Sequence, residues 1–126
     1  MKNVFHAIWP LFFGISMVMI GNGLQGTLLA VRATMEGFST VTTGLIMSLY
    51  YGGFLIGCIL APKLVANVGH IRVFTALASL ASTTALLHGL FIEPVIWGIA
   101  RIIAGFSFAG LYIVVESWMN DASTNE

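Results

Sequence analysis

The chain has 126 residues, of which 58% are hydrophobic and only 8% are charged, and its net charge is zero. Soluble domains carry roughly 25% charged residues, so this composition excludes an ordinary water-soluble fold. The lack of a basic excess argues against a nucleic-acid partner. The single cysteine, Cys58, excludes an internal disulfide and a multi-cysteine metal site.

The few charged residues separate four apolar stretches, each about as long as the roughly 20 residues that cross a bilayer. Lipid admits only helices or closed barrels, and these stretches are too long for strands. The sequence therefore predicts an all-α membrane protein with four transmembrane helices. The predicted helices span about residues 7–31, 39–61, 73–92 and 94–119.

The first predicted helix continues well beyond the roughly 7–15 residues of a signal-peptide core. Its second half carries two amides, Asn22 and Gln25, among three glycines. Small and polar residues of this kind favour a closely packed surface that faces protein rather than lipid.

The second predicted helix contains Gly53 and Gly57, a GxxxG pattern that lets another helix approach closely. A basic connector, residues 62–72, follows it and contains Lys63, Gly69 and Arg72. We expect this connector to join two membrane helices and to contribute to gating.

Lysine and arginine predict the orientation of the chain. With a cytoplasmic N-terminus, Lys2, Lys63 and Arg72 lie inside and Arg32 lies outside, which is the positive-inside pattern. The three tryptophans fall near predicted helix ends, where interfacial anchors are expected. They are Trp9, Trp97 and Trp118.

Arg101, in the upper third of the fourth predicted helix, is the strongest functional candidate. It lies roughly 10 Å deep at about 1.5 Å per residue, where a charge usually faces protein or water. The alternative is that its side chain extends to the outer interface. Gly105 and Ala109 follow at four-residue intervals and present a small surface to a neighbouring helix.

Depth suggests partners for this arginine. Asn22 and Gln25 lie at a level similar to that of Arg101, so we expect one of them to hydrogen-bond its guanidinium across a polar cavity. Tyr112 is a further candidate on the same helix, with simple packing as the alternative. The sequence therefore predicts a substrate or coupling site formed by these residues.

At the inner end, Arg72 and Glu116 lie at the mouths of the third and fourth predicted helices. One hypothesis is an ion pair that breaks and re-forms during gating, and the alternative is two hydrated charges. No catalytic constellation appears, and the scattered His6, His70 and His88 do not indicate a metal site. We predict neither an enzyme nor a cofactor.

The order of helices, the basic connector and the internal arginine resemble the N-terminal part of a major facilitator superfamily (MFS) transporter. The family signature G-x-L-a-D-r-x-G-r-k falls on residues 62–71, where Leu64 and Gly69 match. Pro62, Ala66, His70 and Ile71 depart from it. Two segments resemble the sequences of the YcaD-like branch of bacterial members, namely APKLVANVGHIRVF and FAGLYIVVESWMNDASTNE.

This resemblance implies a twelve-helix fold in two halves, with the substrate near the midplane and alternating access by rocking of the halves. It implies a multi-pass protein of the bacterial inner membrane that moves a small solute, with proton coupling associated with the helix-4 arginine. It also implies further C-terminal helices, so the 126-residue chain is interpreted as a truncated product. The substitution at Ala66 removes the acid of the usual charge relay.

Two other interpretations fit the length. One is a complete four-helix multidrug exporter acting as a dimer, although that class relies on a glutamate within its first helix. The other is a membrane scaffold that transports nothing.

Overall fold

The computed structural model describes the backbone of residues 2–124 and their side chains except those of residues 2, 4 and 122–124. It contains four helices, α1 (Lys2–Met35), α2 (Thr40–Val68), α3 (His70–Leu90) and α4 (Pro94–Thr124), and no strand within this range. All four are long and apolar enough to cross a membrane, which confirms the predicted fold class. The protein is therefore a multi-pass membrane protein in a lipid bilayer.

Helix α4 is the centre of the fold. It packs most extensively on α2, then on α3, and more sparsely on α1. Ala100, Ala104 and Val114 are completely buried along its length. Helix α1, in contrast, leaves most of its large apolar side chains exposed.

The α2–α4 contact depends on the absence of side chains. A Cβ on Gly53 would overlap the carbonyl oxygen of Ile102, and a Cβ on Gly105 would overlap that of Tyr50. A Cβ on Gly57 would lie 2.8 Å from the Cβ of Ala109. The four small residues named from their spacing thus lie at one helix contact, where the two backbones approach closely.

The connector between α2 and α3 is much shorter than the sequence suggested. Helix α2 continues through Pro62 to Val68, and only Gly69 interrupts the helices. Gly69 has φ +102° and ψ 160°, a conformation that is essentially restricted to glycine. Its N–H still donates to the carbonyl of Val65 at 2.9 Å. The prediction of an eleven-residue connector was therefore wrong, because residues 62–68 extend the helix.

Side chains cap the N-termini of α2 and α4. Ser39 Oγ accepts from the N–H of Thr42 at 3.1 Å. The Glu93 carboxylate accepts from the N–H groups of Val95 and Ile96 at 3.3 and 3.1 Å. These bonds satisfy N–H groups that have no partner within the helix.

Trp97 does not lie at a lipid-facing surface. It is 1% exposed, whereas Trp9 is 51% exposed. The Trp97 indole N–H donates to the carbonyl of Phe91 at 2.6 Å, and its ring packs against Phe38. The expectation of an interfacial anchor at Trp97 was wrong, because this face of α4 is turned toward the core.

Candidate substrate and coupling site

The Arg101 guanidinium is buried at the centre of the bundle, with only 4% of the residue exposed. Its Cζ lies 4.4 Å from the centroid of the Tyr50 ring, a cation–π contact between α4 and α2. Its Nε and Nη1 atoms have no hydrogen-bond partner in the described part of the chain. The arginine therefore faces protein, as its depth suggested, and does not extend to the outer interface.

The glycine contact positions this pair. Gly105 lies one turn after Arg101 in α4 and allows the Tyr50 backbone to approach. The Tyr50 ring is then held between Phe54 and Phe108, whose centroids lie 6.1 and 6.5 Å away. Gly105 and the two phenylalanines thus position the Tyr50 ring against which the guanidinium lies.

Asn22 links α1 to the same tyrosine. Its Nδ2 donates to the Tyr50 hydroxyl at 2.8 Å and more weakly to the Tyr112 hydroxyl at 3.4 Å. The predicted hydrogen bond between Asn22 and Arg101 is not formed between these described side chains, and both residues instead contact Tyr50. From the sequence, packing is a more common role for Tyr50 than ligand binding. We call Arg101, Tyr50, Asn22 and Tyr112 the donor cluster.

Gln25 contacts His88 of α3, a residue that the sequence did not favour as a functional candidate. Its Nε2 lies 3.5 Å from Nδ1 of His88, and that nitrogen lies 2.7 Å from the carbonyl oxygen of Thr84. The close Thr84 contact requires a hydrogen on Nδ1. Thr84 and His88, four residues apart in the uncharged stretch 73–90 of α3, are the sequence signal that indicates a polar surface on this helix.

A cavity of about 740 Å³ lies between α1, α3 and α4. Its lining is mainly apolar, and its polar members include Asn22, Gln25, Ser82 and His88. Small organic ligands usually occupy such concave, mostly apolar spaces with a few polar groups. Asn22 is the residue that belongs to both the cavity and the donor cluster.

No carboxylate accompanies Arg101 among the described side chains. Glu36, Glu93 and Asp121 lie near helix ends, Glu116 lies eight residues before the end of α4, and all four are exposed. Glu36 pairs with Arg32 at 2.8 Å, and Glu93 caps α4. The positive charge inside the bundle is therefore not neutralised by an acid from this part of the chain.

The charged residues predicted for the inner gate are spread over the surface. Lys63, Arg72 and Glu116 are exposed, and the expected Arg72–Glu116 pair is not formed between these described side chains. His70 instead joins α3 to α4, with its Nε2 3.0 Å from Ser117 Oγ and 3.7 Å from Asp121 Oδ2.

Almost the whole length of the chain is similar in sequence to curated proteins. An "Uncharacterized MFS-type transporter" of Enterobacter sp. (strain 638) is 26% identical over 125 residues, which is 99% of this chain and 33% of that protein. The "Uncharacterized MFS-type transporter YcaD" of Escherichia coli O45:K1 (strain S88 / ExPEC) is 25% identical with the same coverage. The chain is therefore similar to the first third of these MFS-type transporters.

The chain spans about a third of the length of these MFS-type relatives. No family profile and no solved structure matches it. Gly69, which matches a glycine of the connector signature described above, is the residue at which α2 ends. The arginine and small residues of the helix-4 signature are Arg101, Gly105 and Ala109, at the α2–α4 contact.

Proposed function

We propose that this chain forms the four-helix part of a membrane secondary transporter that moves a small solute by alternating access. The observation that carries the proposal is the buried Arg101, held on Tyr50 with no carboxylate nearby among the described residues. A charge inside a membrane bundle is costly and usually belongs to a substrate or ion pathway. The MFS-type relatives support the same class of function.

In this proposal Arg101, Asn22, Gln25 and Tyr112 form the substrate and coupling path. Arg101 supplies the charge, and Asn22 connects α1 to the tyrosines of α2 and α4. A solute or a proton that changes the charge near Arg101 would shift this network. That shift would move α1, which makes the sparsest contacts in the bundle.

The inner end would supply the gate. Gly69 allows α2 and α3 to change their angle at a single residue, while Lys63, Arg72 and Glu116 lie near this end of the bundle. We place the N-terminus and this connector on the cytoplasmic side of a bacterial inner membrane, because the basic residues are more numerous there. Further helices of a longer protein would complete the opposite side of the path.

The test uses the complete product of the gene, reconstituted in liposomes that contain a pH-sensitive dye. A panel of labelled small solutes is screened for uptake, with proton movement recorded at the same time. Arg101→Leu should abolish uptake while insertion and folding are preserved. The control variant Thr75→Leu, which changes an exposed residue of α3 whose hydroxyl donates to the carbonyl of Ile71 at 2.9 Å, should retain uptake.

Full uptake by the Arg101→Leu protein would reject the assigned role of this arginine. The alternative of a dimeric four-helix exporter predicts drug export by the 126-residue chain alone and a cross-linkable dimer. A scaffold predicts no solute movement under any condition. No contact in the described structure favours either alternative.

A further inference from the structure

The donor cluster contains more hydrogen-bond donors than acceptors. Arg101 Nε and Nη1 have no acceptor within the described structure. The Tyr50 and Tyr112 hydroxyl oxygens both receive Asn22 Nδ2, so each hydroxyl hydrogen is left to donate elsewhere. If the Asn22 amide oxygen and nitrogen were exchanged, the oxygen would accept hydrogen bonds from the two tyrosine hydroxyls. The amide N–H groups of Asn22 would then be the donors without an acceptor. The donor excess is therefore independent of that assignment.

The positive charge of Arg101 also indicates that the site formed by the described residues lacks a negatively charged acceptor. Arg101 is 4% exposed, and no carboxylate among the described residues lies beside its guanidinium. The Tyr50 ring offers its π-face to the cation but supplies no counter-charge. A group that both neutralises Arg101 and accepts several hydrogen bonds would complete the site, and a carboxylate has both properties.

The side chains around the donor cluster limit which other chemical groups a bound molecule could carry. Tyr50, Phe54 and Tyr112 form an aromatic wall, with the Phe54 and Tyr112 centroids 6.2 Å apart. No second cation of the described chain belongs to the donor cluster: Lys63 and Arg72 are exposed near helix ends, and Arg32 lines the neighbouring cavity. A ligand with one negative charge and an apolar body fits these walls better than a dianion or a phosphate.

We infer that the donor cluster is a binding site for a small organic monocarboxylate, with Arg101 binding the carboxylate and the Tyr50 and Tyr112 hydroxyls donating to it. The inference rests on the proposed function, because it names the class of solute that the path would carry. Entry requires α1 to move away from α2, and the sparse contacts of α1 permit this movement.

The experiment is calorimetric titration of the purified, detergent-solubilised full chain with benzoate, and with benzamide as its uncharged counterpart. Benzoate should bind and benzamide should not. Arg101→Gln should weaken benzoate binding by at least about tenfold, which corresponds to about 1.4 kcal/mol. Arg101→Lys should weaken it less, since lysine keeps the charge but loses the planar contact with Tyr50. Lys63→Gln, which removes an exposed positive charge outside the cavity and the donor cluster, should bind as the unchanged protein does.

Several results would overturn the inference. They are the absence of benzoate binding, equal binding of benzamide, unchanged affinity in Arg101→Gln, and equal loss in Lys63→Gln. Circular dichroism and gel filtration establish that the variants are folded, and Tyr50→Phe, which keeps the ring, provides a milder second variant that should also bind more weakly. Arg101-dependent benzoate binding in a protein that moves no solute would reject the transporter proposal and support the carboxylate site.

Discussion

The Tyr50 backbone lies against Gly105, while the ring of the same tyrosine lies under Arg101, one turn earlier in α4. Helix packing and the candidate site are therefore parts of one arrangement. Any side chain at Gly105 pushes Tyr50 away and displaces the surface on which the guanidinium lies.

Gly105→Ala should destabilise the protein by about 1–3 kcal/mol, because the added methyl group meets a backbone carbonyl that cannot rotate away. Thermal unfolding in detergent measures the loss. The matched change is Gly52→Ala in α2, where an added Cβ has no atom within 4 Å. It should leave stability unchanged or raise it by up to about 1 kcal/mol through helix propensity. Equal effects of the two variants would contradict the close contact.

The length and hydropathy of the apolar stretches were sufficient to predict the four helices. The small-residue spacing also identified the residues that lie at the α2–α4 contact, since residues four apart share one face of a helix. The connector was mispredicted because Pro62 and Lys63 suggested a loop. A proline in a membrane helix is tolerated where neighbouring structure satisfies the backbone, and α2 continues past it.

The contacts of the site could not be predicted from the depth of each residue along its helix, because they also depend on the direction of each side chain around the helix. The level of Asn22 matched that of Arg101, yet the direction of each side chain around its helix placed Tyr50 between them. Trp97 lies near a helix end, but its direction places it in the core. His88 became a candidate only when α1 and α3 were seen to approach through Gln25.

Tyr50→Phe should separate the hydroxyl of this tyrosine from its ring. The phenylalanine ring remains under Arg101, but Asn22 Nδ2 loses its 2.8 Å acceptor. We expect a loss of about 1 kcal/mol in stability and a reduced rate of solute movement. The neighbouring change Tyr51→Phe removes a hydroxyl from a residue that is 69% exposed, and both quantities should stay constant. A larger effect from Tyr51→Phe than from Tyr50→Phe would argue against the Asn22 link.

Gly69→Ala should destabilise the junction of α2 and α3. A Cβ meets no neighbouring atom there, so the cost comes from the backbone angle φ +102°, which L side chains rarely adopt. A strained backbone of this kind costs about 1–3 kcal/mol, measurable by thermal unfolding. Gly44→Ala, in α2 with open space at its Cβ, is the comparison and should cost nothing. An unaffected Gly69→Ala protein would mean that the junction relaxes to another conformation.

Cysteine labelling tests the proposed orientation, with Cys58→Ser as the background. Asn67→Cys places a thiol at the α2–α3 end, and Thr40→Cys places one at the start of α2; both positions are exposed. If basic residues hold the α2–α3 end inside, a membrane-impermeant maleimide added to intact spheroplasts should label Thr40→Cys only. Asn67→Cys should react after the membrane is permeabilised. Labelling of Asn67→Cys in intact spheroplasts, with protection of Thr40→Cys, would invert the topology and put the proposed gate at Gly69 on the outer face.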